Sequence, residues 1–371
     1  MPEIMIPESI KPLDGRFGCG PSRIRPEQLK AFIDFGSQYM GTSHRQPPIK
    51  NLVGDLKQGL LDMFHAPAGY EIIMGNGGAS AFWDAAAFSL VERKGQALVH
   101  GEFGNKFANI LGAPWLDQPT VISVEPGSRG DLIAEEGADV YAYPHNETSS
   151  GVVTDVRRVK GADEDALMLT DATSAAGGID FDPKQTDVYY FAPQKNLASD
   201  GGLWIALVSP KAIGRIEQVA ASGRYIPNIL SLQLALDNAR QNFTLNTPSL
   251  ATLFFANNQV EWINSNGGLA WADSRTRESS DLIYDWATKT DKTHPFVENP
   301  AHRSQVVATV NFDDSIDALA IAQILRENGI VDTEPYRKLG KNQLRVATFV
   351  ATEPAEVQRL ISSIEYVLER I

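Results

Sequence analysis

The sequence predicts an α/β protein: a mostly parallel mixed sheet between helices, followed by a smaller carboxyl-terminal α+β unit. Three observations carry this. From about residue 71 to residue 210, short apolar runs alternate with helical patterns. Loops of small, amide and glycine residues follow three of those runs. Over the last hundred residues the order becomes strand, helix, strand, helix. Alternating strands and helices pack as a parallel sheet with covered faces.

The elements follow in order. Short runs rich in branched or aromatic residues, bounded by Gly, Pro or Asp, predict strands at Glu71–Met74, Gln96–His100, Val140–Tyr143, Ala166–Thr170, Asp187–Phe191 and Leu203–Val208. Ala79–Leu90 reads as a helix, with Phe82, Ala86 and Leu90 on one face. Helical patterns run from Lys211 to Arg240 and from Ser249 to Ser265, and Asn266-Gly267-Gly268 breaks the second. A helix is expected over Ala270–Thr288. Then come a strand at Gln305–Asn311, a helix at Ile316–Glu327, a strand at Gln343–Thr348 and a helix at Pro354–Arg370. This divides the chain into a large domain, 1–270, and a small one, 271–371.

The chain has 371 residues, 43% hydrophobic and 21% charged, enough for a full core without disulfides or metals. Its net charge of −13 argues against nucleic acid as a partner, since a phosphate backbone would repel it. One cysteine, Cys19, allows no internal disulfide and no multi-cysteine zinc site. Met1–Ile10 lacks the basic start and apolar run of a signal peptide, and no transmembrane helix is expected. The expected setting is the cytoplasm. No histidine pair has metal-ligand spacing, so no metal is expected, and His65, His100, His145, His294 and His302 read as structural or surface residues.

Three loops carry candidate chemistry, because ligands of open α/β sheets sit at the carboxyl ends of strands. Gly75-Asn76-Gly77-Gly78-Ala79-Ser80 joins a strand to a helix. Glycines let the backbone approach an anion, and the helix N-terminus offers N–H groups. The loop is neither a dinucleotide fingerprint, which needs Gly at position 80, nor a Walker loop. A plain tight turn is the alternative. Asp171-Ala172-Thr173-Ser174 places a carboxylate at a strand end, and simple helix or turn capping is its alternative. Ala192-Pro193-Gln194-Lys195-Asn196 sets a lysine between two apolar strands. A lysine held there can form a Schiff base with a carbonyl cofactor. Cup, Asp171 and Lys195 together match pyridoxal 5'-phosphate: the cup for its phosphate, Asp171 for its ring nitrogen, Lys195 for its aldehyde carbon.

These loops resemble those of the phosphoserine aminotransferases, fold-type I enzymes of the class V aminotransferase group. Phe17-Gly18-Cys19-Gly20-Pro21-Ser22, Gly41-Thr42-Ser43-His44-Arg45, Asn146-Glu147-Thr148 and Asn246-Thr247-Pro248 extend the likeness over nearly the whole chain, nearest to the actinobacterial type. The resemblance implies Lys195 as the catalytic lysine and Asp171 as partner of the ring nitrogen. It assigns the cofactor phosphate to Gly78, Ala79 and Ser80 with Gln194 assisting, and Thr148 to the ring region. Phe103 stands where the family usually has a tryptophan stacked on the ring. Asn246 and Thr247 would reach the phosphate from a neighbouring subunit, which implies a homodimer with shared sites. Residues 1–45 would contribute to the active site.

An α-carboxylate calls for a bidentate arginine, and Arg345 is the candidate. The substrate phosphate and the γ-carboxylate of glutamate would share a second anion site, for which His44 and Arg45 are suited; Pro47-Pro48 suggest a fixed loop there. The family's Gly-His-Arg before the last strand is replaced by Pro335-Tyr336-Arg337-Lys338-Leu339-Gly340, leaving Arg337 or Lys338 as substitutes. The implied reaction converts 3-phosphohydroxypyruvate and L-glutamate to O-phosphoserine and 2-oxoglutarate in serine biosynthesis. A phosphorylated hydroxythreonine of pyridoxine biosynthesis is a further implied substrate. The alternatives are a serine–pyruvate or alanine–glyoxylate transaminase, a cysteine desulfurase dependent on Cys19, and a non-catalytic protein on the same scaffold.

Overall fold

A computed structural model of the chain describes residues 4–371; the first three residues of the Met1–Ile10 stretch lie outside the described residues. In chain order the main elements are α1 (Pro26–Phe35), α2 (Pro47–Met63), β1 (Glu71–Asn76), α3 (Ala79–Ser89), β2 (Gly95–Val99), α4 (Glu102–Leu111), β3 (Thr120–Ser123) and β4 (Val140–Pro144). Next are β5 (Asn146–Glu147), β6 (Val152–Val153), β7 (Leu167–Asp171), β8 (Val188–Phe191), β9 (Leu203–Val208), α5 (Pro210–Ala221), α6 (Leu232–Ala239) and α7 (Leu250–Ser265). The chain ends with α8 (Gly268–Ala287), β10 (Thr293–Pro295), β11 (Val307–Phe312), α9 (Ala318–Glu327), β12 (Gln343–Ala347) and α10 (Pro354–Leu368).

Seven strands form the large sheet in the order β1-β9-β8-β7-β4-β2-β3. β9 runs antiparallel to both β1 and β8, and the other pairings are parallel. The predicted α/β sheet is therefore present. Strands β2, β4, β7, β8 and β9 are buried along their whole length. Helices cover both faces, which is why these strands read as continuous apolar runs. One apolar cluster joins α2 and α7 to one face; a second joins α3, α4 and α6 to the other. Gly75 has to be glycine, because a Cβ there would lie 2.4 Å from the Trp204 ring.

Two expectations need correction. Pro47 and Pro48 do not fix a loop: they open α2, at positions where a helix has no use for a backbone N–H. The pattern from Lys211 to Arg240 is two helices, because Gly223 adopts φ +83° and Pro227 follows in the connection. The division at residue 270 meets a continuous helix. α8 starts in the large core through Leu269 and Ala272, and ends in the carboxyl-terminal core through Ile283, Tyr284 and Trp286. That last core also takes in Ile4, Ile6 and Phe17, so the amino-terminal segment packs against the carboxyl-terminal unit. Asn328 fastens it, accepting from the Ile6 N–H at 2.8 Å and donating to the Ile4 carbonyl at 2.8 Å. The small sheet, β10-β11-β12, is antiparallel. Among the described residues no helix is long and apolar enough to cross a membrane.

Candidate active site

The carboxyl ends of β1, β4, β7 and β8 surround a cavity of about 460 Å³. Gly78, Ala79, Ser80, Phe103, Thr148, Asp171, Gln194 and Lys195 all line it, so the structure brings these predicted residues together. Gly20 and Pro21 line it too. Gly20 is at φ +130°, and a Cβ there would lie 2.6 Å from Lys195 Cε. Only glycine lets the amino-terminal segment pass over the lysine.

The Lys195 loop leaves β8 and returns as β9. Lys195 is buried, and its Nζ donates to the Cys19 carbonyl at 2.6 Å. Burial pulls its pKa down to about 8; Arg345 acts the same way, while Cys19, Asp171 and Glu147 oppose it. Near neutral pH a usable fraction of the amine is thus unprotonated. The backbone is held by Ser22, whose hydroxyl donates to the Lys195 carbonyl at 2.6 Å and whose N–H donates to Gln194 at 2.8 Å.

Asp171 closes β7 with both oxygens engaged. Oδ1 accepts from the Thr173 N–H at 2.9 Å, so the carboxylate does cap its own turn. Oδ2 receives the Trp83 indole N–H at 3.3 Å, which Tyr190 Oη shares at 3.0 Å. Burial raises the Asp171 pKa; hydrogen bonds from Thr173, Trp83 and Tyr190 counter it. Trp83 also lines the cavity, outside the sequence-predicted set. Its signal was legible as helix spacing: it lies one turn after Ala79 and Ser80 on α3. Its pairing with Asp171 was not, since 88 residues separate them.

No side chain caps α3, and a Cβ at Gly78 would meet open space. This leaves an uncovered helix N-terminus facing the cavity, suited to a phosphate. Asn146 Oδ1, Thr173 Oγ1 and Gln194 Oε1 are buried cavity-lining atoms without a hydrogen-bond partner. A polar ligand would satisfy them. Thr148 donates to Ser174 Oγ at 2.8 Å, and Arg345 on β12 donates to the Thr148 carbonyl at 3.1 Å. Arg345 Nε is buried without a partner, and its guanidinium lies 5.2 Å from the Tyr336 ring.

Other candidates lie apart. Asn246, Thr247, His44, Arg45 and Arg337 do not line the cavity. His44 and Thr247 meet each other at 3.0 Å through Nδ1 and Oγ1, and His44 Nε2 is buried without a partner. Burial, then Arg45, lowers the His44 pKa. Asn246, Thr247 and Arg45 are exposed, and Asn76 Nδ2 ties the Thr247 carbonyl to the cup loop at 3.0 Å. Arg337 is exposed on a short turn; its neighbour Lys338 pairs with Glu102 at the start of α4. His100 and His145 are buried, each with its pKa pulled to about 4 by burial. Among the described residues no cluster of three or more ligating side chains could hold a metal.

The sequence pattern described as Aminotransferase class-V matches residues 17–333. The chain belongs to the class V aminotransferase family. The likeness to known members is full-length. A phosphoserine aminotransferase of Rhodococcus jostii (strain RHA1) is 52% identical over 368 residues, 99% of this chain and 98% of the relative. One of Nocardioides sp. is 52% identical over 370 residues, 99% of each. The solved phosphoserine aminotransferase of Cytophaga hutchinsonii has the same fold, with TM-score 0.89 at 22% identity over 97% of this chain and 100% of that one. An alanine–glyoxylate aminotransferase of Nostoc sp. shares it at TM-score 0.79 and 20% identity, over 99% and 97% of the two chains. The fold therefore does not choose the substrate. This class V member is a pyridoxal-phosphate-dependent aminotransferase, as the resemblance implied. The uncovered α3 N-terminus, the unpartnered polar atoms, Asp171 and Lys195 fit that cofactor.

Proposed function

We propose that this enzyme is a phosphoserine transaminase, exchanging the amino group between L-glutamate and 3-phosphohydroxypyruvate to give 2-oxoglutarate and O-phospho-L-serine. The observation that carries the reading is the pairing of a lysine-bearing cofactor cavity with a separate basic cluster, His44 and Arg45, in a chain about half identical to proteins of that name. A transaminase whose substrates carry no second anionic group needs no such site.

When bound, pyridoxal phosphate supplies the electron sink that weakens the substrate Cα–H bond. Gly78, Ala79, Ser80 and Gln194 hold its phosphate, and Thr148 bonds beside its ring. Phe103 packs on the ring face, and Asp171 holds a proton on the ring nitrogen. Lys195 would take the proton from the substrate Cα and return it two atoms away, on the far side of the amino nitrogen, a role its pKa of about 8 suits. Arg345 binds the α-carboxylate in a bidentate clamp. His44, Arg45, Asn246 and Thr247 serve the cavity of a second subunit, with Arg337 at its rim. Ile33 (80% exposed), Phe35 and Met40 give α1 and the turn after it, in the stretch of chain leading to His44 and Arg45, exposed apolar side chains, which supports a homodimer. A cytoplasmic setting suits a chain with one cysteine.

A substrate panel tests the reading. Phosphoserine should exceed serine in kcat/KM by at least about a hundredfold, the worth of one buried charge-assisted contact pair. Equal values for the two would refute the second anion site.

A further inference from the structure

α4 carries Phe103 in its first turn, yet it has no cap of its own. Gly101 precedes it and supplies no side chain. The caps come from β5 and the turn that follows it. Glu147 accepts from the Gly104 N–H at 3.0 Å and the Phe103 N–H at 3.4 Å. Ser149 Oγ accepts from the Glu102 N–H at 3.0 Å and donates to Glu147 at 2.6 Å. Ser149 N–H adds a further bond to Glu147 at 3.1 Å. The first three N–H groups of α4 are thus satisfied from 43 or more residues away. Gly101 makes the approach possible: a Cβ there would lie 2.3 Å from Ser149 Oγ and 2.9 Å from Glu147 Cγ.

Glu147 is fully buried, and its surroundings are hydrogen-bond donors rather than a paired cation. Burial raises its pKa, opposed by the bonds from Ser149, Gly104 and Phe103. Placing a carboxylate in such a site is costly unless donors and a helix dipole offset it. A neutral cap such as Asn would serve helix stability alone. The carboxylate links two segments that line the cofactor cavity. One carries Phe103, with Lys195 Nζ 5.8 Å from its ring. The other carries Thr148, next in sequence to Glu147, and Arg345 holds its carbonyl.

We propose that Glu147 is a positioning residue for transamination, a cap between segments that fixes Phe103 and Thr148, both of which line the cofactor cavity. The inference rests on the proposed placement of the cofactor ring against Phe103 and beside Thr148. Glu147 also raises the Lys195 pKa, so its charge reaches the catalytic amine.

The test uses the holoenzyme reconstituted with pyridoxal 5'-phosphate. Two quantities are read: the cofactor dissociation constant, and the visible circular dichroism per bound cofactor at saturation. Glu147→Gln keeps the shape but cannot accept from four donors. It should weaken cofactor binding about tenfold and diminish the dichroic signal, with far-ultraviolet dichroism unchanged. Ser149→Ala should give a smaller change in the same direction. A role in stability alone would lower Tm but leave the signal per bound cofactor intact, and that result overturns the proposal. Should Glu147→Gln not fold, Ser149→Ala decides alone, and wild-type values there overturn it. Phe103→Ala and Thr148→Val separate the two readings. If they too leave both quantities unchanged, the ring placement is wrong; if they raise the dissociation constant and diminish the signal while Glu147→Gln does neither, only the role of Glu147 falls.

Discussion

The cofactor cavity and the basic cluster at His44 differ in how finished they are within one chain. Around Lys195 nearly every polar group has a partner or faces the cavity: Asp171 has Thr173 and Trp83, Lys195 has the Cys19 carbonyl, and Glu147 has four donors. At the cluster, His44 Nε2 is buried without a partner, and Arg45, Asn246 and Thr247 stand exposed. Neither group of residues can do the other's work. The first is preorganised for a cofactor; the second has charge and donors but no enclosure. We read the second as half of a site that a second copy completes.

The largest expected effect is on the finished side. Lys195→Ala should lower kcat by on the order of a thousandfold or more, the scale of a lost general acid–base, with the fold retained by far-ultraviolet dichroism. Substantial remaining turnover would break the assignment. Arg45→Ala tests the unfinished side. It should reduce kcat/KM for phosphoserine about tenfold to a hundredfold while leaving cofactor affinity unchanged. A loss of cofactor affinity of the same size would erase the distinction between the regions.

Lys195 also makes a prediction about stability. Its folded pKa, about 8, lies below the ordinary lysine value of 10.5. As pH falls from 10.5 the unfolded chain takes up a proton that the folded chain refuses until about 8. The native lysine therefore costs stability, fully below about pH 8 and not at all above about 10.5. That difference corresponds to roughly 3 kcal/mol at most. Lys195→Met should make the cofactor-free protein more stable in urea at pH 7, with the gain fading as pH rises through 8 to 10.5. A pH-independent difference would mean that packing alone is responsible. The smallest effect concerns Trp83→Phe, which removes one hydrogen bond to Asp171 and should weaken cofactor binding about fivefold. No change would show Trp83 to be a wall and nothing more.

Much of the finished region was legible in the sequence, because continuous apolar runs mark strands buried on both faces and the chemical loops follow them directly. The Leu203–Val208 strand agrees at both ends, and the others lie within two residues. Helices α1, α2 and α4 went unread. α2 opens on a Pro-Pro pair that resembles a loop until its buried face, Leu52, Val53, Leu56 and Leu60, is seen against α7. Trp83 with Asp171, and Glu147 with the α4 N-terminus, are contacts between distant segments. No local pattern announces which strand ends will adjoin, so side chains in such networks show their purpose only in three dimensions.

The central claim is that each site joins the Lys195 cavity of one subunit to the Arg45 cluster of the other. Mixing Lys195→Ala and Arg45→Ala chains, after unfolding and refolding together, tests it directly. In a hybrid with shared sites, one site carries both substitutions and the other carries neither. Random pairing should then restore phosphoserine turnover to about a quarter of the wild-type value. Activity no higher than the average of the two parent variants would contradict the claim and place both regions in the service of a single chain.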